Sequence, residues 1–253
     1  MRLGDCANVF ALVNTGAFLA FVLANEYGLM GGVAPSFKQE GFCVSFPGTL
    51  YSSHLLAFYV DCVCAAALVG LCRKNAGAPF LEPIKDAAGG IFFHGLGHAG
   101  ISAGYVGAAP VAPPTMRALA FGIVGLWAFF FFLLKSGPGV PAKHAAAHAA
   151  IHALFLALAV PPHLNFTYVQ TVLIWIVTFY SLRRPHKDRY YDLSSLIITV
   201  PVGLVSWVEA ISCDSFFKDV GGHVYYDAII PASMFLYCAV ASRAAAPESK
   251  KAR

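Results

Sequence analysis

The chain has 253 residues, of which 58% are apolar and 12% charged, where soluble domains average about 25% charged. Its 17 basic and 13 acidic side chains cannot cover a soluble fold of this length, so the composition excludes one and leaves a polytopic membrane protein. The net charge of +4 sits in short basic clusters between apolar stretches, a pattern that excludes a nucleic-acid-binding surface.

The chain opens Met1-Arg2-Leu3-Gly4-Asp5, without the basic start and small-residue cleavage site of a secretory signal, so the first span is expected to remain in the mature protein. Apolar segments long enough to cross about 30 Å of hydrocarbon as helices run over approximately 9–30, 48–72, 87–109, 115–135, 142–160, 163–182, 191–212 and 223–242. Between them fall Gly31-Gly32, Pro47-Gly48, Pro110 with Pro113-Pro114, Gly137-Pro138-Gly139, Pro161-Pro162 and Gly221-Gly222. The link between the fifth and sixth segments is short enough to make them an antiparallel hairpin. The expected fold is therefore all-α, a single membrane helix bundle over 1–253 with eight spans, seven being the alternative.

Basic residues orient the bundle. With eight spans, the two termini and the even-numbered links share one side, which carries fourteen of the 17 Lys and Arg, including Arg73, Lys74, Lys85, the Arg183–Arg189 cluster and the 243–253 tail. Lys38, Arg117 and Lys218 lie opposite. This asymmetry predicts that both termini face the cytosol. The final Lys250-Lys251-Ala252-Arg253 resembles a dilysine retrieval signal of endoplasmic-reticulum membrane proteins; the alternative is a basic tail held at anionic headgroups. Cys43 and Cys213 fall on the non-cytosolic side, where they either form a disulfide or remain two buried thiols. Cys62, Cys64, Cys72 and Cys238 read as small packing residues within spans.

Ionisable groups within spans are costly and mark candidate sites. His94 and His98, four residues apart on the third span, share a helical face and could grip one metal ion, the alternative being that both hydrogen-bond to neighbouring helices. Glycines at 89, 90, 95, 97, 100, 104 and 107 make that helix thin and closely approachable. His223 and Asp227 share a face at the start of the eighth span, with Glu209 at the end of the seventh as a third ligand or a proton donor and acceptor. The competing reading is an interfacial hydrogen-bond cluster closing the turn. Asp61 in the second span needs a partner that His54, two turns earlier, does not obviously provide. His144, His148 and His152 form a stripe on the fifth span that lines a polar seam or a second metal or haem site.

The last two spans resemble the alkaline ceramidase family, part of a wider group of membrane-embedded metal-dependent hydrolases that includes adiponectin-receptor-like proteins. The resemblance rests on Trp207 with Glu209, on Cys213-Asp214-Ser215, and on His223-Val224-Tyr225-Tyr226-Asp227, together with Gly90-Ile91-Phe92-Phe93-His94 on the third span. It implies a zinc ion held by His94, His223 and the residue at 227. Asp227 stands where the family has histidine, Gly90 where it has serine, and Tyr105 at about the offset of its aspartate.

These readings lead to a zinc-dependent hydrolase of a lipid amide or ester, with His94, His98, His223 and Asp227 as metal ligands and Glu209 as catalytic proton carrier. Membrane lipids are the expected partners and the endoplasmic reticulum the expected location. The alternatives are a transporter or proton/metal conduit built on the same residues, haem-based electron transfer, and a non-catalytic lipid-binding protein.

Overall fold

A computed structural model describes residues 3–29, 43, 52–103, 105–106, 109–110, 175, 178, 188–219 and 221–245. These fold as five long helices: α1 (Leu3–Glu26), α2 (Ser53–Lys74), α3 (Glu82–Ala103), α4 (Arg189–Ser212) and α5 (His223–Ala245). A single 3-10 turn over Pro79–Leu81 joins α2 to α3, and Tyr105–Val106 pairs antiparallel with Ala109–Pro110 just beyond α3. Four of the helices, all but α3, are long and apolar enough to cross a membrane. The chain is accordingly a membrane helix bundle. The expected spans at 115–135, 142–160 and 163–182, with the His144, His148 and His152 stripe, lie outside the described residues apart from Trp175 and Thr178.

Local chemistry sets the helix ends, and it moves several of the expected boundaries. α1 stops at Glu26, not at residue 30, because Gly28 adopts φ 70°. The Leu29 amide then donates to the Ala24 carbonyl and the Gly28 amide to the Asn25 carbonyl, which closes the helix in a Schellman motif. α2 begins at Ser53 instead of 48, capped by the Ser52 hydroxyl accepting from the Leu55 amide at 3.2 Å. Asp188 caps α4 by accepting from the Tyr190 amide at 2.7 Å, which starts the helix two residues before the expected 191. α3 starts five residues before the expected 87, directly after the 3-10 turn, and ends at Ala103 rather than 109. Pro201 and Pro231 lie inside α4 and α5, where each removes a backbone hydrogen bond from the helical ladder.

α2 packs antiparallel against α3 and α4 antiparallel against α5, while α1 runs parallel to α4 and α5 also lies along α2. The core between α2, α3, α4 and α5 holds Leu68, Ile84, Ile91, Ile198, Ile230, Met234 and Tyr237. At one end of it, the Tyr237 hydroxyl donates to the Phe80 carbonyl at 2.7 Å and the Phe80 ring faces Tyr190. Arg73, Lys74, Lys85, Arg189 and Arg243 all fall toward this end, at helix termini. A second apolar cluster of Phe21, Val22, Ala210 and Phe217 surrounds Cys43 and Cys213. Outward-facing Val63, Leu204, Val208 and Leu236 are exposed, as side chains facing lipid must be.

Candidate metal centre

Buried ionisable side chains from four helices meet at the end of the bundle opposite Arg73 and Arg189. His94, His98, His223 and Asp227 each offer one ligand atom, and these four atoms all lie within 4.8 Å of one another. His94 Nε2 and His98 Nε2 are 3.2 Å apart, and His98 Nε2 and His223 Nε2 are 3.1 Å apart. Asp227 Oδ1 stands 3.5 Å from His94 Nε2 and 3.8 Å from His98 Nε2, while its Oδ2 is 3.5 Å from His223 Nε2. A tetrahedral zinc site with bonds near 2.0–2.1 Å has ligand-to-ligand edges of about 3.3 Å. The five distances just given, 3.1–3.8 Å, bracket that value, within a group whose ligand atoms all lie within 4.8 Å of one another.

Helix periodicity accounts for half of this arrangement. His94 and His98 are one turn apart on α3, and His223 and Asp227 one turn apart on α5, so each helix presents two ligands from one face. The other half comes from packing. Gly95 lets α2 approach α3 so closely that a Cβ at that position would lie 2.9 Å from the Cβ of Asp61. Gly221, at φ 78°, turns the chain from α4 into α5 and returns His223 beneath Glu209.

Each histidine is held from behind through Nδ1. Asp61 Oδ2 lies 2.7 Å from His94 Nδ1, Glu209 Oε1 lies 2.9 Å from His223 Nδ1, and His54 Nδ1 lies 2.8 Å from His98 Nδ1. Carboxylates accept, so His94 and His223 carry their protons on Nδ1 and present bare Nε2 lone pairs inward. When His98 donates its Nδ1 proton to His54, it does the same. Three lone pairs then face the carboxylate of Asp227, whose two oxygens are fully buried and accept no hydrogen bond among the described residues. Acceptors facing one another in a low-dielectric interior repel unless a cation or donor lies between them. The ion-pair partners of Asp61, Glu209 and Asp227 among the described residues are histidines, and no described Lys or Arg pairs with these carboxylates. The group can therefore hold one metal ion, with Asp227 and the three Nε2 atoms as ligands and Asp61, His54 and Glu209 orienting them.

All four expected ligands converge. Glu209, expected to carry protons, sits behind His223: its Oε1 also accepts from the Cys43 amide at 2.8 Å, and it is not one of the four converging side chains. Asp61 and His54, singled out by their polarity but left unplaced, prove to be partners of His94 and His98. The signal was present in Asp61, a carboxylate within a span whose partner had to come from another helix. Cys43 and Cys213 are joined in a disulfide. Protein-family models, curated proteins and solved structures yield no match to this chain.

Proposed function

We propose that the protein is a zinc-dependent, membrane-embedded hydrolase of a lipid amide or ester. The observation that carries this reading is the inward convergence of three Nε2 atoms on a carboxylate that accepts no hydrogen bond among the described residues. A zinc ion held there would supply Lewis acidity and a water acidic enough to react near neutral pH. Asp61, His54 and Glu209 would keep the imidazoles in the tautomer that binds. Asp227 would supply the anionic ligand, with Oδ1 3.5 Å from His94 Nε2 and Oδ2 3.5 Å from His223 Nε2. The surrounding helices exclude bulk water and expose apolar flanks to the bilayer, which favours a substrate that is itself a lipid.

This proposal includes the topology implied by the basic residues, with eight spans and both termini in the cytosol, so that the centre lies beneath the outer or lumenal leaflet. The dilysine-like C-terminus would keep the enzyme in the endoplasmic reticulum, where it would act on membrane lipids. A second reading has its own support. Glu209, His223, His98, His94 and Asp61 form an unbroken series of contacts between 2.7 and 3.2 Å, a string suited to passing protons or metal ions along a path.

Turnover separates the two. Zinc-loaded protein in mixed micelles is expected to release fatty acid from amide- or ester-linked lipids, and His223→Ala and Asp227→Ala to abolish this. Proteoliposomes that show metal-stimulated proton or metal flux without lipid turnover would overturn the hydrolase in favour of the conduit.

A further inference from the structure

Cys43 meets the metal centre at three points. Its amide donates to Glu209 Oε1 at 2.8 Å, and its carbonyl accepts from the His223 amide at 3.1 Å. Its sulfur is bonded to Cys213, one residue past the end of α4, with the two Cα atoms 5.3 Å apart. A single residue from the segment between α1 and α2 thus holds the carboxylate that orients His223 and, separately, the backbone of His223 itself. The disulfide is the covalent tie that keeps it there. Ala210, Phe217, Phe21 and Val22 close over the bridge, leaving Cys43 1% and Cys213 2% exposed.

We infer that the Cys43–Cys213 bridge is a clasp that completes the metal centre, so that the protein binds its metal tightly only after these two thiols have been oxidised. The inference rests on the metal-site reading above. It makes Cys43 and Cys213 positioning residues: neither sulfur is a ligand, and the bridge acts on the orientation of His223 through the contacts of Cys43 to Glu209 and to the His223 amide. Oxidation proceeds by thiol–disulfide exchange with an oxidised dithiol partner. The two thiols lose two protons and two electrons, one S–S bond forms here, and the partner's disulfide is reduced to two thiols. Because the bridge is buried, this exchange belongs to assembly, before α1 and the α4–α5 turn close over it. The clasp also requires its end of the bundle to face an oxidising compartment.

The test uses the full chain in detergent, with Zn2+ competed against a chromogenic chelator and Co2+ as a spectroscopic probe. Removing a group that orients a metal ligand weakens binding about 10–100-fold. The double variant Cys43→Ala/Cys213→Ala is expected to lose zinc affinity by that factor and to broaden or shift the Co2+ ligand-field bands, because His223 is no longer fixed. Glu209→Gln is expected to lose a similar factor, and combining it with the bridge-free variant to add little, since both act on one histidine.

Wild-type affinity with unchanged Co2+ bands in the bridge-free protein would overturn the clasp and leave the metal site standing. Additive losses would also overturn it, since the bridge would then act elsewhere than on the histidine that Glu209 orients. A parent protein that binds neither metal would overturn clasp and metal site together. A bridge-free protein that folds only when zinc is supplied supports the clasp, because bridge and metal then secure the same pieces. One that folds in neither condition overturns it, the bridge being then a general support of the fold.

Discussion

Asp61→Asn separates metal binding from folding. Asp61 is 1% exposed, and its Oδ2 accepts from His94 Nδ1 at 2.7 Å while Oδ1 accepts nothing among the described residues. The substitution keeps shape and volume but removes the negative charge behind His94. It also lets the amide donate to Nδ1, which would move the imidazole proton to Nε2 and aim it at the metal position. The expected loss is about 10–100-fold in zinc affinity, or roughly 1.4–2.8 kcal/mol. Without metal the sign reverses, because a neutral amide costs less to bury than a carboxylate with one unpaired oxygen. Metal-free Asp61→Asn should therefore unfold at the parent temperature or above it, while the zinc-loaded form gains less from the metal than the parent does. Chelator competition and thermal unfolding with and without zinc measure both. Val63→Ala, two residues on and 70% exposed, is the control and should change neither. An affinity within about threefold of the parent, or parallel losses of affinity and metal-free stability, would refute the reasoning.

Two further substitutions test the packing that brings the ligands together. Gly95→Ala places a methyl 2.9 Å from the Asp61 Cβ, so α2 must move away from α3; a loss of about 1–3 kcal/mol in stability, with weakened zinc binding, is expected from thermal unfolding and chelator competition. Tyr237→Phe removes the donor to the Phe80 carbonyl at the opposite end of the core and should cost about 1 kcal/mol in unfolding while leaving zinc affinity unchanged.

What the sequence made legible divides along helix lines. His94 with His98, and His223 with Asp227, were readable because each pair shares one helix and a spacing of four puts both on one face. The meeting of the two pairs was not, since it depends on how α3 and α5 pack, and no spacing within either helix encodes that. Asp61 and His54 show the same limit: their polarity within a span was visible, but their partners lie on α3. Glu209 was flagged for its burial, yet its role follows from Cys43, a residue far away in sequence and tied to the α4 end by the disulfide. The Cys43–Cys213 bridge stood among the open alternatives, because the count of basic residues placed both thiols on one side without bringing them together. Helix ends shifted wherever a cap was local: Gly28, Ser52 and Asp188 each moved a boundary that apolar length alone had set.

Elemental analysis of the purified protein, alongside His223→Ala and Asp227→Ala, bears most directly on the metal centre. One tightly held zinc per chain in the parent, lost from both variants while they remain folded, is the predicted result. A parent that carries no metal after loading and washing, or variants that keep it in full, would contradict it.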